Sequence, residues 1–178
     1  MTRRLGARDL IGLVLDEGTF VSWDAPVEHA GLDEPYVAEL VAARARAGVD
    51  EAVVTGRGSI RGNAVAVVVG EFGFLGGSIG RATAHRITAA VERATRERLP
   101  LLAAPASGGT RMQEGTPAFV EMVTISRAVA RHKAAALPCN ASNTRGPRNP
   151  MSAPGSATLT WPSEPHDAKT PPVVGCRR

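Results

Sequence analysis

AVAVVVGEFGFLGGSIGRATAHRITAAVER, residues 64–93, contains one complete strand, turn and helix. Ala64 to Val69 is a near-continuous apolar, β-branched run, the pattern of a strand buried on both faces of a sheet. The glycine cluster GEFGFLGGSIG over 70–80 ends it, and beyond it Ala84, Ile87, Val91 and Ala94 recur at helical spacing. Ser78 is the expected N-cap of that helix. The same order then repeats. Leu99 to Ala106 is apolar, SGGTRMQEG follows over 107–115, and Phe119, Met122, Val123, Ser126, Val129 and Ala130 form one face of a further helix, with Thr116 and Pro117 as its N-cap and first position. Elsewhere the pattern gives helices over 7–15 and 34–47 and a strand over 52–55; the repeated units give helices over 79–98 and 117–136 and a strand over 101–104. Helix and strand alternate throughout, so the class is α/β.

The second turn, Ser107 to Gly115, narrows the chemistry. Two adjacent glycines at the end of a buried strand can turn both backbone N–H groups toward one point, which is an oxyanion hole. Glycine suits the task because a ligand carbonyl must approach the main chain more closely than a Cβ allows, and positive φ costs glycine little. Gly108 and Gly109 are therefore the candidate catalytic donors, and Ser107 belongs to the donor loop without being a nucleophile. A helix N-terminus close behind would favour an anion by about 0.3–1 kcal/mol. The alternative is a tight strand-to-helix turn with no ligand role.

FxFxGGSxG (Phe72, Phe74, Gly76, Gly77, Ser78, Gly80) followed by SGGxRMQEG resembles the carboxyltransferase subunits of biotin-dependent acyl-CoA carboxylases, most closely the β subunit of acetyl-CoA carboxylase. Arg8-Asp9, Asp16-Glu17-Gly18-Thr19-Phe20 and AVVTGRGSIRGNAVAV over 52–67 extend the likeness, which covers residues 5–138. It implies a crotonase/ClpP-like superhelix of ββα units, here partial, with acyl-CoA lying across the glycine turns. The N–H groups of Gly108 and Gly109 would stabilise the enolate of the thioester, and Phe74, Gly76, Gly77, Ser78 and Ser107 would contact substrate. Arg86, with Arg81, would meet the CoA phosphates. Carboxybiotin would arrive on a separate biotin carboxyl carrier protein, and the biotin left after CO2 release would take the α-proton, so no side-chain base is required. Glu71 and Glu114 then read as a turn carboxylate and a helix-start charge. The implied reaction carboxylates acetyl-CoA, or another acyl-CoA, to malonyl-CoA for fatty acid synthesis, in an oligomer with a carboxyltransferase α subunit.

Two features depart from the family pattern. Many bacterial β subunits open with a four-cysteine zinc ribbon, whereas this chain has only Cys139 and Cys176 and no CxxC pair, so no zinc is expected. After Pro138 the likeness stops where a PTxGGVxAS-type motif would follow. Seven of the thirteen prolines fall beyond residue 138, without apolar periodicity. Residues 139–178 are accordingly expected to be a disordered tail, the aberrant or frameshifted end of a truncated gene, with 1–138 the N-terminal part of a carboxyltransferase domain. A natural Pro-rich segment for partner binding is the alternative. Residues 1–138 carry sixteen Lys plus Arg against fifteen Asp plus Glu, while the tail carries five against two, so the basic pI of 9.8 is mostly a tail property. Arg93, Arg96 and Arg98 alternate with Glu92 and Glu97 as on a solvated helix face, and aromatics are few, which argues against a nucleic-acid partner.

Other readings stay open at this level. Gly76-Gly77-Ser78-Ile79-Gly80 also satisfies GxSxG between a strand and a helix, with Glu114 or Glu121 and His132 as triad partners of a serine hydrolase. Gly56-x-Gly58 lacks the spacing of a dinucleotide fingerprint and reads as a hairpin. A non-enzymatic reading makes the chain an inactive truncated fragment that binds CoA or a partner subunit, with apolar surface left on its last helix. The sequence has no run of apolar residues long enough to span a membrane, and its two unpatterned cysteines fit a reducing compartment, so a cytoplasmic location without membrane contact is expected.

Overall fold

The computed structural model describes residues 5–27 and 31–141. Helix α1 (Ala7–Val14) leads to a short strand β1 (Val21–Ser22) and helix α2 (Glu34–Ala47). Strands β2 (Val53–Ile60) and β3 (Asn63–Gly70) follow, then helix α3 (Arg81–Arg96), strand β4 (Leu101–Ala104), helix α4 (Gly115–Ala134) and strand β5 (Cys139–Ala141). All five strands form one sheet in sequential order, antiparallel from β1 to β3 and parallel from β3 to β5.

The periodicity of β3 explains the layering. Val65, Val67 and Val69 join α1, α2 and Phe74 in one core, while Ala66 and Val68 join Val53, Leu101, α3 and Ala128 of α4 in the other. One strand thus supplies both faces, and no polar residue interrupts it because neither face meets water. The β2–β3 hairpin turns on Arg61 and Gly62, with φ of 52° and 77°, the two positive values a two-residue type I′ turn requires. Asp16 caps that turn by accepting from the N–H groups of Arg61 (2.9 Å) and Gly62 (2.8 Å). Gly56 and Gly58 are therefore residues of β2: a Cβ on either would strike Phe20 or Leu15.

Several boundaries differ from expectation. Ser78 is not the cap of α3; it closes a 3₁₀ turn at Leu75–Gly77, and Gly80 is the N-cap. The capping group comes from far along the chain, since Glu114 accepts the Arg81 N–H at 2.6 Å. In α4, Glu114 is the N-cap and Thr116 and Pro117 lie inside the first turn, because a 3₁₀ turn at Met112–Glu114 runs straight into the helix. Pro is tolerated there, where its missing N–H has no intrahelical partner to lose.

The buried stripe of α4 is Ala118, Ala128 and His132, whereas Phe119, Val120 and Val123 are exposed. Cys139–Ala141 is a strand paired with β4, so ordered structure runs three residues past the boundary drawn at 138. The expected disordered tail over 142–178 lies outside the described residues. Among those described, no helix is long and apolar enough to cross a membrane, and no group of three or more His, Cys, Asp or Glu is placed to hold a metal.

Candidate functional site

The two glycine turns lie against each other and are joined by backbone hydrogen bonds. Gly108 N–H donates to Gly76 O (2.9 Å), Ile79 N–H to Gly109 O (2.8 Å) and Arg111 N–H to Ile79 O (2.9 Å). This close approach dictates the residue type. A Cβ on Gly77 would sit 1.9 Å from Ala106 O, and one on Gly70 2.6 Å from Ala106 N. The first turn is thus held by the second over its whole width.

Beneath the turns lies a buried polar network that the sequence reading did not single out as a site. Arg111 is 1% exposed. Its guanidinium bonds both carboxylate oxygens of the buried Glu51, and it donates to Ser78 O at 2.8 Å, to Ser78 Oγ at 3.3 Å and to Thr83 Oγ1 at 3.2 Å. The Tyr36 hydroxyl donates to Glu114 Oε1 at 2.6 Å and accepts from Arg111. Burial first, and the Glu114 acceptor second, push the Tyr36 phenol above its ordinary range. Burial opposes the charge of Arg111, but its hydrogen bond and Coulomb attraction to Glu51 outweigh that and raise its pKa. An ion pair this deep is expensive to break, because removing one partner strands the other away from water. Arg111 sits inside SGGTRMQEG and holds the carbonyl of Ser78, so one side chain fixes the relation of the two motifs. Glu51 had only a weak signal, an acid directly before an apolar strand.

The expected site residues separate into two groups. Phe74 is 1% exposed in the core, with Arg111 5.5 Å from its ring centroid, so it is a packing residue and not a substrate contact. Gly76 and Gly77 have φ of 65° and 67° and serve the turn-to-turn contact. Arg86 is also corrected. It is buried, donates to both oxygens of Asp50 (2.9 and 2.6 Å) and to Ala25 O, and its Nε lies 3.9 Å from Asp24, so it anchors α3 and is not free to meet phosphates.

Arg86 holds the Asp50 carboxyl below the usual carboxylate range by that hydrogen bond. Glu71 accepts from Ala7 N–H at 2.7 Å and Gly73 N–H at 2.8 Å, a cap for α1 and the turn together. On α3, Arg93 bonds Glu97 at 2.7 Å and lies over Trp23, with its guanidinium carbon 4.5 Å from the ring centroid.

Gly108 and Gly109 are exposed, and Gly109 has φ of 111° with open space where a Cβ would be. Their N–H groups do not converge on one point. Gly108 N–H is committed to Gly76 O, whereas Gly109 N–H is held only by the Ser107 hydroxyl at 3.1 Å. A hydroxyl can rotate away, so Gly109 N–H is the donor that an incoming oxygen can take over. The hydrolase arrangement is not formed. Ser78 Oγ accepts from Arg111, and the His132 ring meets Thr95 Oγ1 at 3.0 Å and Pro138 O at 3.4 Å, so Ser78 and His132 do not make the contact a nucleophile and its base need.

Residues 3–140 match the model of the carboxyl transferase domain. A probable biotin-dependent acyl-coenzyme A carboxylase beta3 subunit of Mycobacterium tuberculosis is 58% identical over 135 residues, 76% of this chain and 27% of the relative. An acetyl-coenzyme A carboxylase carboxyl transferase subunit beta 1 of Roseiflexus sp. is 41% identical over 141 residues, 76% of this chain and 47% of the relative. The chain therefore spans about a quarter to a half of the length of these curated relatives.

Among solved structures, transcarboxylase 12S with hydrolyzed methylmalonyl-coenzyme A bound superposes with a TM-score of 0.63 at 26% identity, over 73% of this chain and 24% of that one. The β subunit of Pseudomonas aeruginosa geranyl-CoA carboxylase has the same fold, with a TM-score of 0.59 at 22% identity, over 78% of this chain and 24% of that one. The crotonase-like α/β architecture is common to them all.

Proposed function

This chain belongs to the carboxyl transferase domain family, and from that premise we propose that it binds an acyl-CoA thioester at the second glycine turn, as part of a carboxyltransferase β subunit. The observation that carries the reading is Gly109: an exposed N–H at positive φ, with open space beside it and only a rotatable hydroxyl as partner.

In the proposed reaction the thioester oxygen replaces Ser107 Oγ on the Gly109 N–H, and that donor stabilises the negative charge that gathers on this oxygen when the α-proton leaves. Gly108 N–H stays with Gly76 and keeps the turn in place. Carboxybiotin, when bound, supplies the carboxyl group and the base that takes the α-proton. Gly109 is exposed with open space beside it, so such a group, delivered from outside the chain by a carrier protein, would reach it from solvent. Arg111 and Glu51 hold the second turn in register with the first, so that Gly109 N–H needs no rearrangement at the moment of reaction.

The acceptor is acetyl-CoA or another acyl-CoA. With acetyl-CoA the product is malonyl-CoA, for fatty acid synthesis in the cytoplasm, with a carboxyltransferase α subunit and a biotin carboxyl carrier protein as partners. A second reading, an acyl-CoA-binding or partner-binding piece without turnover, is favoured by the exposed Phe119, Val120 and Val123 on α4.

Transfer of carboxyl from malonyl-CoA to a biotin analogue, assayed with an α subunit present, separates the two. Turnover supports the enzyme; binding of acyl-CoA without turnover supports the second reading. Ser107→Ala checks the site itself. Removing the competing hydroxyl should tighten acyl-CoA binding by about two- to tenfold, the worth of one neutral hydrogen bond, in isothermal titration. Weaker binding would mean that Ser107 itself holds the ligand.

A further inference from the structure

Helix α4 carries an apolar face that the described residues leave uncovered. Phe119, Val120 and Val123, three and four residues apart, are 67%, 57% and 55% exposed. Ser126, Ala130 and Ala134 continue the same stripe to the end of the helix and are exposed too. The other side of α4 packs on α3, where Thr124 Oγ1 meets Thr88 Oγ1 at 3.2 Å and the His132 ring meets Thr95 Oγ1. Neighbouring large apolar side chains left in water mark an interaction surface.

The stripe is graded in size, bulky from Phe119 to Val123 and small from Ser126 to Ala134. Turned end over end about Val123, it fits a second copy of itself. Phe119 of one copy then comes over Ser126 and Ala130 of the other, and Val123 meets Val123. A parallel pairing would set Phe119 against Phe119 and leave the two alanines facing a gap, so only the antiparallel direction gives knobs that find holes.

Charge favours the same direction. The last turn of α4 is basic, with Arg131, His132 and Lys133. Just before its first turn, Gln113 Nε2 donates to the exposed Glu39 carboxylate at 3.1 and 3.2 Å. The antiparallel pairing brings Lys133 of each copy level with Gln113 and Glu39 of the other, and sets each helix C-terminus beside the other's N-terminus. Residues 142–178 of the same chain are a poorer match for this face. They carry five Lys plus Arg against two Asp plus Glu, and would meet the exposed, like-charged Arg127 on the stripe.

We propose that the exposed face of α4 is a two-fold contact through which two copies of this chain pair antiparallel, with Val123 on the axis. The pairing does not depend on acyl-CoA binding at Gly109. Two helices of 20 residues touch over about 30 Å, and one such pair buries less than the roughly 1,600 Å² of a standard interface. Its Kd is therefore about micromolar or weaker.

The test is sedimentation equilibrium of the 178-residue chain from micromolar to near-millimolar concentration. The mass should climb from the 18.6 kDa of one chain to that of two and stop there. Val123→Glu puts two carboxylates on the axis and Val123→Lys two ammonium groups, so each should raise the Kd by at least about tenfold. Mixed in equal amounts, the two variants should pair again, because residue 123 of one copy then meets the opposite charge. Val123 is exposed, and circular dichroism checks that both variants keep their helix content. A chain that stays monomeric throughout would overturn the pairing, and so would a dimer that both variants retain, since it would use another face. Growth beyond two chains would overturn the closed two-fold contact. Variants that dissociate and are not restored by mixing would show that Val123 does not face itself, and the proposed geometry would fall.

Discussion

Gly76–Gly77 in the first turn and Gly108–Gly109 in the second are both glycine pairs between a strand and a helix, yet Gly77 is buried and Gly109 is exposed. At Gly77 a side chain would drive into the backbone of Ala106; at Gly109 it would meet nothing within 4 Å. Gly77 is glycine so that Ala106 of this chain can come close, whereas Gly109 has open space beside it. Identical residue types thus report packing at Gly77 and open space at Gly109, and their neighbours decide which.

The sharpest way to break this comparison is to cut the link between the turns. Arg111→Met leaves Glu51 buried without its cation and should cost about 3–5 kcal/mol in urea unfolding. Arg111→Met combined with Glu51→Leu should cost markedly less, because no stranded charge remains. Equal losses in the two variants would mean that packing, not charge, makes the clamp.

Next in size is the direct contrast between the glycines. Gly77→Ala combines positive φ with a backbone clash and should destabilise by about 2–4 kcal/mol. Gly109→Ala carries the dihedral cost alone, about 1–2 kcal/mol, and should weaken acyl-CoA binding more than its stability loss explains. A larger stability loss at Gly109 than at Gly77 would reverse the assignment of the two turns.

The smallest effect concerns an anchor outside both turns. Arg86 holds the Asp50 carboxyl below its ordinary range, so folding favours the carboxylate. That contribution stands in full above about pH 4 and disappears as pH falls through the lowered value. Asp50→Asn should flatten this part of the acid limb of stability, followed by thermal melts between neutral and acid pH, and leave the Gly77 and Gly109 contrast unchanged.

The fold was legible where periodicity was long. Helix α2 lies at the expected residues because Asp33, Pro35 and Gly48 mark its ends, and Gly48 takes the left-handed φ of 69° at its C-cap. β3 and β4 announce themselves by apolar runs. β1 and β5 are two and three residues long, too short for any period to register, and they exist because β2 and β4 offer open edges. Caps were misplaced for a related reason: Glu114 caps α3 from 33 residues away, a relation no local window contains. In the site, the turns were legible from their glycines. The commitment of Gly108 N–H to Gly76 and the pairing of Arg111 with Glu51 were not, since both join residues that only the folded chain brings together.

The most direct measurement is the change in backbone amide resonances of the 178-residue chain on titration with acetyl-CoA, read residue by residue by NMR. The account predicts the largest shift at Gly109, a strong one at Ser107, and a much smaller one at Gly77. A shift at Gly77 larger than at Gly109, or saturable binding that leaves Ser107 and Gly109 unmoved, would contradict it.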